Sequence, residues 1–329
     1  MTAAENDRLV AAVGEMIRKG DLLARANSNE EAASSYRTAL AIAEELVRRG
    51  QHLPPAMESE LGRASAWFKA HVAGYMARID EALSSAGFGQ GRRSEQIDEA
   101  LAILRGEAPV QVQQPTSFYF PGLPQRSFYD RSEFDWAPAI EERTPAIRRE
   151  LEQLIAMAEA DFQPYIPEEA AGRRAPNAHL AGDPSWSAFH LMKAGQPITE
   201  HADRCPETMA ALTRAPLVDL PGRAPMALFS LLRPGAHIRP HHGLFNFRLI
   251  CHLPVLIPPG CSLRVGNQQR EWREGELLVF DDSMEHEAWN RSAERRVVLI
   301  FEIWRPEIGE ADRAAISVLL KAANISAED

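Results

Sequence analysis

The sequence predicts an α+β chain: a helical N-terminal domain, then a jelly-roll β-domain with flanking helices. Three features of its 329 residues carry this expectation. Apolar residues in the first third recur at the helical period of about 3.6 residues. From Pro225 onward the pattern changes to short β-prone runs between Pro-Gly, Gly-Asn and acidic turns, which suits a sandwich or barrel. Between the two lies a proline- and glutamine-rich stretch with no helical stripe. The expected organisation is therefore a helical domain at 1–106, a linker at 107–116 and a β-domain at 117–329.

In the first domain, Leu9, Val13, Met16, Ile17 and Leu23 form one stripe. After the Asn27-Ser28-Asn29 break, Ala32, Tyr36, Ala39, Leu40 and Ala43 form a second. Leu61, Phe68, Val72, Tyr75, Met76, Ile79 and Leu83 form a third, and Ile97, Leu101 and Leu104 a fourth. The second segment, EEAASSYRTALAIAEEL, resembles the second helix of a tetratricopeptide repeat, and a plain helical bundle accounts for it equally well. Either way, these faces suit packing or docking, not catalysis. The segment EAPVQVQQPT reads as the linker, and a helix is expected over 138–159. Strands are expected at 226–232, 247–257, 262–265, 277–280 and 296–304. Barrels built this way hold ligands in their mouths.

Composition narrows the function. The 36 basic residues against 46 acidic give a net charge of −10, which argues against nucleic acid as the main partner. Cys205, Cys251 and Cys261 lack paired metal spacing and read as reduced packing thiols. The N-terminus carries Glu5, Asp7, Arg8 and Glu15 where a signal peptide needs an apolar core. No run reaches the roughly 18–20 apolar residues of a membrane span. A cytoplasmic setting without stable membrane insertion is expected.

Five of the ten histidines (His237, His241, His242, His252 and His286) fall within the β-prone region. Imidazole is a general ligand for iron, zinc and copper, so this density points to a metal. His241 in Pro-His-His-Gly and His286 in Asp-Asp-Ser-Met-Glu-His are the candidate ligands. Two imidazoles leave several positions of an octahedral Fe(II) open, whereas a structural zinc site wants four protein ligands. The two-His-one-carboxylate pattern would place an acidic residue where the chain has Gly243. Arg296 opens the run RVVLIFEIW, and an arginine inside a barrel needs an anion. A dicarboxylate such as 2-oxoglutarate supplies one, gripped by Arg296 with help from the Ser230 hydroxyl. His237 reads as a surface residue, His242 as pointing to the opposite strand face, and Arg295 competes with Arg296. Asp281 and Asp282 read as a turn-capping pair near the site, and Trp289 as a core aromatic.

The segment FSLLRPGAHIRPHHGLFNFRLICHLPVLIPPGCSLRVGNQQREWREGELLVFDDSMEHEAWN, with RRVVLIFEIWRPEI after it, resembles the aspartyl/asparaginyl β-hydroxylases. The likeness runs from near Leu123-Pro124-Gln125-Arg126 to about Glu307. The resemblance implies an Fe(II)/2-oxoglutarate-dependent dioxygenase with a double-stranded β-helix, cupin-like core, using O2 to hydroxylate an unactivated C–H. It implies that an H-x-G motif without a carboxylate is normal, which Gly243 fits. By position it makes His241 and His286 the iron ligands and Arg296 and Ser230 the grip on the 2-oxoglutarate tail. His252 and Arg248 become further co-substrate residues, and Trp186 and Asn246 candidate substrate residues. Ile250 departs from the family, which often has an arginine there. The implied substrate is the β-carbon of Asp or Asn in a peptide or protein, or a related small molecule; relatives also act on lipid A acyl chains and free proline. Two alternatives stand beside this reading: an iron halogenase, whose halide fills the missing carboxylate's place, and a helical-repeat adaptor with a degenerate barrel.

Overall fold

The computed structural model describes residues 3–158, 161–170, 177–220 and 222–323. Contacts divide the chain into two units, Met1–Pro109 and Val110–Asp329. The first is helical: α1 (Ala3–Arg25), α2 (Asn29–Arg48), α3 (Pro55–Ser85) and α4 (Glu95–Arg105). Helices α1 and α2 pair closely because small residues meet an aromatic ring. A Cβ on Gly20 would sit 2.6 Å from Cε1 of Tyr36, and Ala32 and Ala39 are fully buried. The Tyr36 hydroxyl donates to Asp21 (2.6 Å), and Arg63 from α3 grips the same carboxylate with both terminal nitrogens (2.6 and 2.8 Å).

The expected third and fourth stripes form helices but not a continuous core. On α3 only Leu61, Ala64 and Met76 are buried, and Tyr75, Ile97 and Leu104 are exposed. A 3.6-residue period identifies residues that share a face; it does not say that the face is covered.

The second unit holds two antiparallel sheets. Its strands are β1 (Phe128–Tyr129), β2 (Gln163–Pro164), β3 (Trp186–Lys193), β4 (Gln196–Pro197), β5 (Ala227–Leu232) and β6 (His237–His241). They continue with β7 (Arg248–Leu256), β8 (Cys261–Val265), β9 (Gln268–Glu271), β10 (Leu278–Phe280), β11 (His286–Asn290) and β12 (Arg296–Trp304). The large sheet runs β1-β10-β7-β12-β5-β3-β2, with β4 on β3; the small one runs β6-β11-β8-β9. Helices α5 (Ala137–Glu141), α6 (Thr144–Ala158), α7 (Thr199–Ala202), α8 (Pro206–Leu212) and α9 (Glu310–Ala323) accompany them. One apolar cluster joins the outer face of the large sheet to α5, α6 and α8. A second fills the space between the sheets, with Leu232, Ile250 and Val298 meeting Ile238, Leu263 and Ala288. No helix among the described residues is long and apolar enough to cross a membrane.

One expectation needs correction, and another gains detail. The helix expected over 138–159 is two helices, broken at Glu142-Arg143, just ahead of Pro145 in the first turn of α6. The stretch read as linker contains the division between the units and is mostly exposed, but its second half is anchored on the β-domain: Gln114 N–H donates to Ser283 O (2.7 Å), Thr116 N–H to Gly243 O (2.9 Å), and Gln113 is buried. Prolines and glutamines there mark irregular backbone, whose amides are met by the neighbouring loops where it touches the β-domain.

Two glycines should respond oppositely. Gly20→Ala should destabilise the helical unit by about 1–3 kcal/mol through overpacking on Tyr36. Gly62→Ala, within α3 and with nothing within 4 Å of a new Cβ, should stabilise it by about 0.8 kcal/mol. Thermal unfolding followed by circular dichroism checks both signs.

Candidate metal and co-substrate centre

Strand periodicity assembles the site. On β5, β7 and β12 the odd-numbered residues Phe229, Leu231, Leu249, Cys251, Val297 and Leu299 pack towards the helices. Successive side chains alternate, so Ser230, His252 and Arg296 face the small sheet. The register brings them close: Ser230 lies opposite Val298, His252 opposite Ile300 and Arg296 opposite Leu232. Arg296 is 1 % exposed and donates to Ser230 O (3.3 Å). Its Nε has no hydrogen-bond partner and no carboxylate pairs with it among the described residues. Burial pushes this guanidinium down to about 10, so it stays charged at neutral pH.

The small sheet supplies the imidazoles. Ile238 lies opposite Ala288 and His241 opposite His286, so β6 carries one more residue than β11 between these pairs. This bulge, at Arg239-Pro240, lets Ile238 pack inward while turning the His241 ring onto that of His286, with centroids 4.1 Å apart. Pro240 suits the bulge because it has no N–H to lose. The Arg239 peptide is held by the Asn177 side chain, whose Oδ1 accepts its N–H (2.8 Å) and whose Nδ2 donates to its carbonyl (3.2 Å). The same carbonyl accepts His241 Nδ1–H (2.8 Å), and Met284 O accepts His286 Nδ1–H (3.0 Å). A carbonyl only accepts, so these contacts put the proton on Nδ1 and leave Nε2 with a free lone pair on each ring. Burial, reinforced by His286, pushes His241 down to about 3; burial pushes His286 down to about 4. Both rings are neutral at neutral pH, the form a metal binds.

Among the described residues no third His, Cys, Asp or Glu joins the pair as a metal group. Gly243 explains part of this. It is buried, and any Cβ there would overlap the carboxylate of Asp282. Asp282 is held in turn by Arg248 (3.2 Å), which also pairs with Glu302. The arrangement fits an iron ion on two imidazoles, with an acidic co-substrate against Arg296: neutral ring nitrogens for the metal and an uncompensated buried cation for the anion.

Trp186 opens β3 beside the pair. Its Nε1–H donates to Ser230 Oγ (3.3 Å), its ring stacks on Tyr165 (4.0 Å, 7°), and it lies 6.4 Å from the His241 ring. Two expected site residues are used elsewhere. The Arg248 charge is already met by Asp282 and Glu302, so it is not free to grip a co-substrate. Asn246 is fully buried, accepts Phe120 N–H (2.7 Å) and donates to Gln113 Oε1 (2.9 Å) and Phe120 O (2.8 Å). It straps the entry segment instead of facing a substrate. Ile250 belongs to the apolar cluster between the sheets. His237 pairs with Glu287 (2.9 Å) and stacks on Trp289, away from the site; His242 is half-buried.

Sequence reasoning missed Asn177, Tyr165, Trp272 and the buried Arg305–Asp281 pair (2.8 Å), which Gln113 joins through Asp281 (2.7 Å). Their partners lie far away in the chain, so no local spacing marks them.

Gly243→Ala should lower stability by about 1–3 kcal/mol from the overlap with Asp282. Asp282→Ala should restore part of that loss in the double variant, a non-additive cycle read by thermal unfolding.

The profile of the family described as Aspartyl/Asparaginyl beta-hydroxylase matches residues 141–306. An ornithine lipid ester-linked acyl 2-hydroxylase of Rhizobium tropici is 34% identical over 181 residues, 54% of this chain and 60% of that protein. The human aspartyl/asparaginyl beta-hydroxylase is 33% identical over 157 residues, 47% of this chain and 19% of that protein. Aspartate beta-hydroxylase domain-containing protein 2 of Xenopus tropicalis is 30% identical over 231 residues, 69% of this chain and 60% of that protein. The chain therefore spans less than two thirds of the length of each. The profile covers half of the chain and includes Ser230, His241, His286 and Arg296; the chain belongs to the aspartyl/asparaginyl beta-hydroxylase family.

Proposed function

We propose that the second unit is an Fe(II)- and 2-oxoglutarate-dependent hydroxylase. The observation that carries this is Arg296: a buried cation without a carboxylate partner among the described residues, on an inner face shared with Ser230 and opposite a neutral histidine pair. His241 and His286 would hold the metal through Nε2. Arg296 would grip the far carboxylate of the co-substrate, with the Ser230 hydroxyl as a second contact. Bound iron with 2-oxoglutarate and O2 supplies the oxidation of an unactivated C–H to an alcohol. Trp186, braced by Tyr165 and tied to Ser230, forms an aromatic wall that orients a substrate and keeps water from the reacting carbon. Asn177 fixes the peptide that orients His241.

The family reading favours the β-carbon of an aspartyl or asparaginyl side chain in a peptide. A second reading, an acyl chain, is supported by the Rhizobium relative, whose name describes a lipid acyl 2-hydroxylase. Parallel incubations with Asp/Asn peptides and with acyl lipids distinguish the two: the true substrate gains one oxygen atom from 18O2 while 2-oxoglutarate yields succinate. Incorporation of added chloride or bromide instead of oxygen would reassign the reaction to halogenation.

Arg296→Met carries a two-sided prediction. It should raise the half-saturating 2-oxoglutarate concentration at least about thirtyfold, as removal of a buried charge partner does. It should also raise the unfolding temperature of the protein measured without metal or 2-oxoglutarate, because an uncompensated buried charge is exchanged for an apolar side chain. An arginine serving the fold alone would show a lower unfolding temperature and unchanged 2-oxoglutarate dependence.

A further inference from the structure

Beyond Arg296 and Ser230, we propose that Trp272 is a co-substrate-binding residue, donating its indole N–H to the acid bound against Arg296. The inference rests on the 2-oxoglutarate reading above and adds a contact to it. Trp272 follows β9, is 4 % exposed, and lies between the exposed Glu271 and Arg273. The Arg296 guanidinium stands over its ring, 4.7 Å from the centroid, and the His252 ring packs against it at 5.9 Å and 28°. All three side chains are buried. All three carry a buried nitrogen with no hydrogen-bond partner among the described residues: Trp272 Nε1, Arg296 Nε and His252 Nδ1.

Indole and guanidinium nitrogens only donate, so Trp272 and Arg296 cannot satisfy each other. An unsatisfied buried donor costs about 1–3 kcal/mol, and two of them on side chains stacked against each other can be answered by one shared acceptor. A carboxylate is an acceptor with several lone pairs and a negative charge, which answers both donors and the uncompensated cation together. The indole face contributes separately: it holds the guanidinium plane by a cation–π contact. Trp272 thus acts through two parts that substitution can separate.

The test uses the full-length chain loaded with Zn(II), which binds without redox turnover, and titrates 2-oxoglutarate by calorimetry. Trp272→Phe keeps a ring against Arg296 but removes the N–H. It should weaken 2-oxoglutarate binding by about tenfold or more, the range for a hydrogen bond to a charged group. Trp272→Leu, without either part, should weaken it further. Trp272→His, which restores a ring N–H, should recover binding relative to Trp272→Phe. Wild-type affinity in Trp272→Phe would overturn the proposal and leave the indole N–H without a part in binding the acid. Should these variants fail to fold, wild type labelled with 15N at its indole nitrogens carries the test. Two indole resonances should move on adding 2-oxoglutarate, one of them absent in Trp186→Phe; movement of that one alone would overturn the proposal. Failure of the Zn(II)-loaded wild type to bind 2-oxoglutarate would instead defeat the co-substrate reading itself, so the two failures are distinct.

Discussion

An arginine taken from water without a countercharge is among the costliest things a β-sheet interior can contain, and among the described residues Arg296 has none. Its desolvation runs to several kcal/mol, and the Ser230 carbonyl and Trp272 ring recover only part of this. The inner face of the large sheet is organised around this charge. Strand alternation puts Ser230 and His252 beside it, and apolar residues from both sheets surround it. Arg248, the other buried arginine facing this space, is met by two carboxylates. Among the described residues Arg296 has no such partner, and this contrast is what supports the proposal that it receives an acidic ligand.

The histidine pair depends on a different constraint, the bulge in β6. Without the bulge at Arg239-Pro240, strict alternation from the inward-pointing Ile238 would point His241, three residues on, outward. The bulge frees one peptide from the sheet ladder, and Asn177 satisfies it on both sides. Its carbonyl then orients the imidazole. Across the pair, Asp282 fills the space beside Gly243, so the glycine is required sterically, and the position offers no carboxylate of its own. The loop after His241 and the turn before His286 are thereby locked together, and Arg248 with Glu302 ties both to β7 and β12.

The parts legible in the sequence were those with local signatures. The change of hydrophobic period separated the helices from the sheets, and the strand expected at 296–304 has those bounds in the structure. His241, His286 and Arg296 stood out by residue type and flanking motif. What stayed hidden depends on partners distant in sequence. Arg248 and Asn246 lie inside the motif, yet Glu302, Asp282, Gln113 and Phe120 decide what they do. Asn177 and Trp272 carry no motif at all; Asn177 acquires its contacts from β6, and Trp272 meets Arg296 and His252 from the opposite sheet. The stripes on α3 and α4 show the complementary limit, since their period is visible while their exposure depends on what lies opposite.

The central claim is that one space holds both a metal on His241 and His286 and an acid on Arg296. Anaerobic titration of the metal-free protein with Fe(II) and then 2-oxoglutarate tests it most directly, through the visible metal-to-ligand charge-transfer band of a chelated 2-oxo acid. The band should appear in wild type, be lost in His286→Ala, and require more 2-oxoglutarate in Arg296→Met. Absence of the band in wild type, together with no heat of 2-oxoglutarate binding, would contradict the account and favour a barrel that serves as an adaptor.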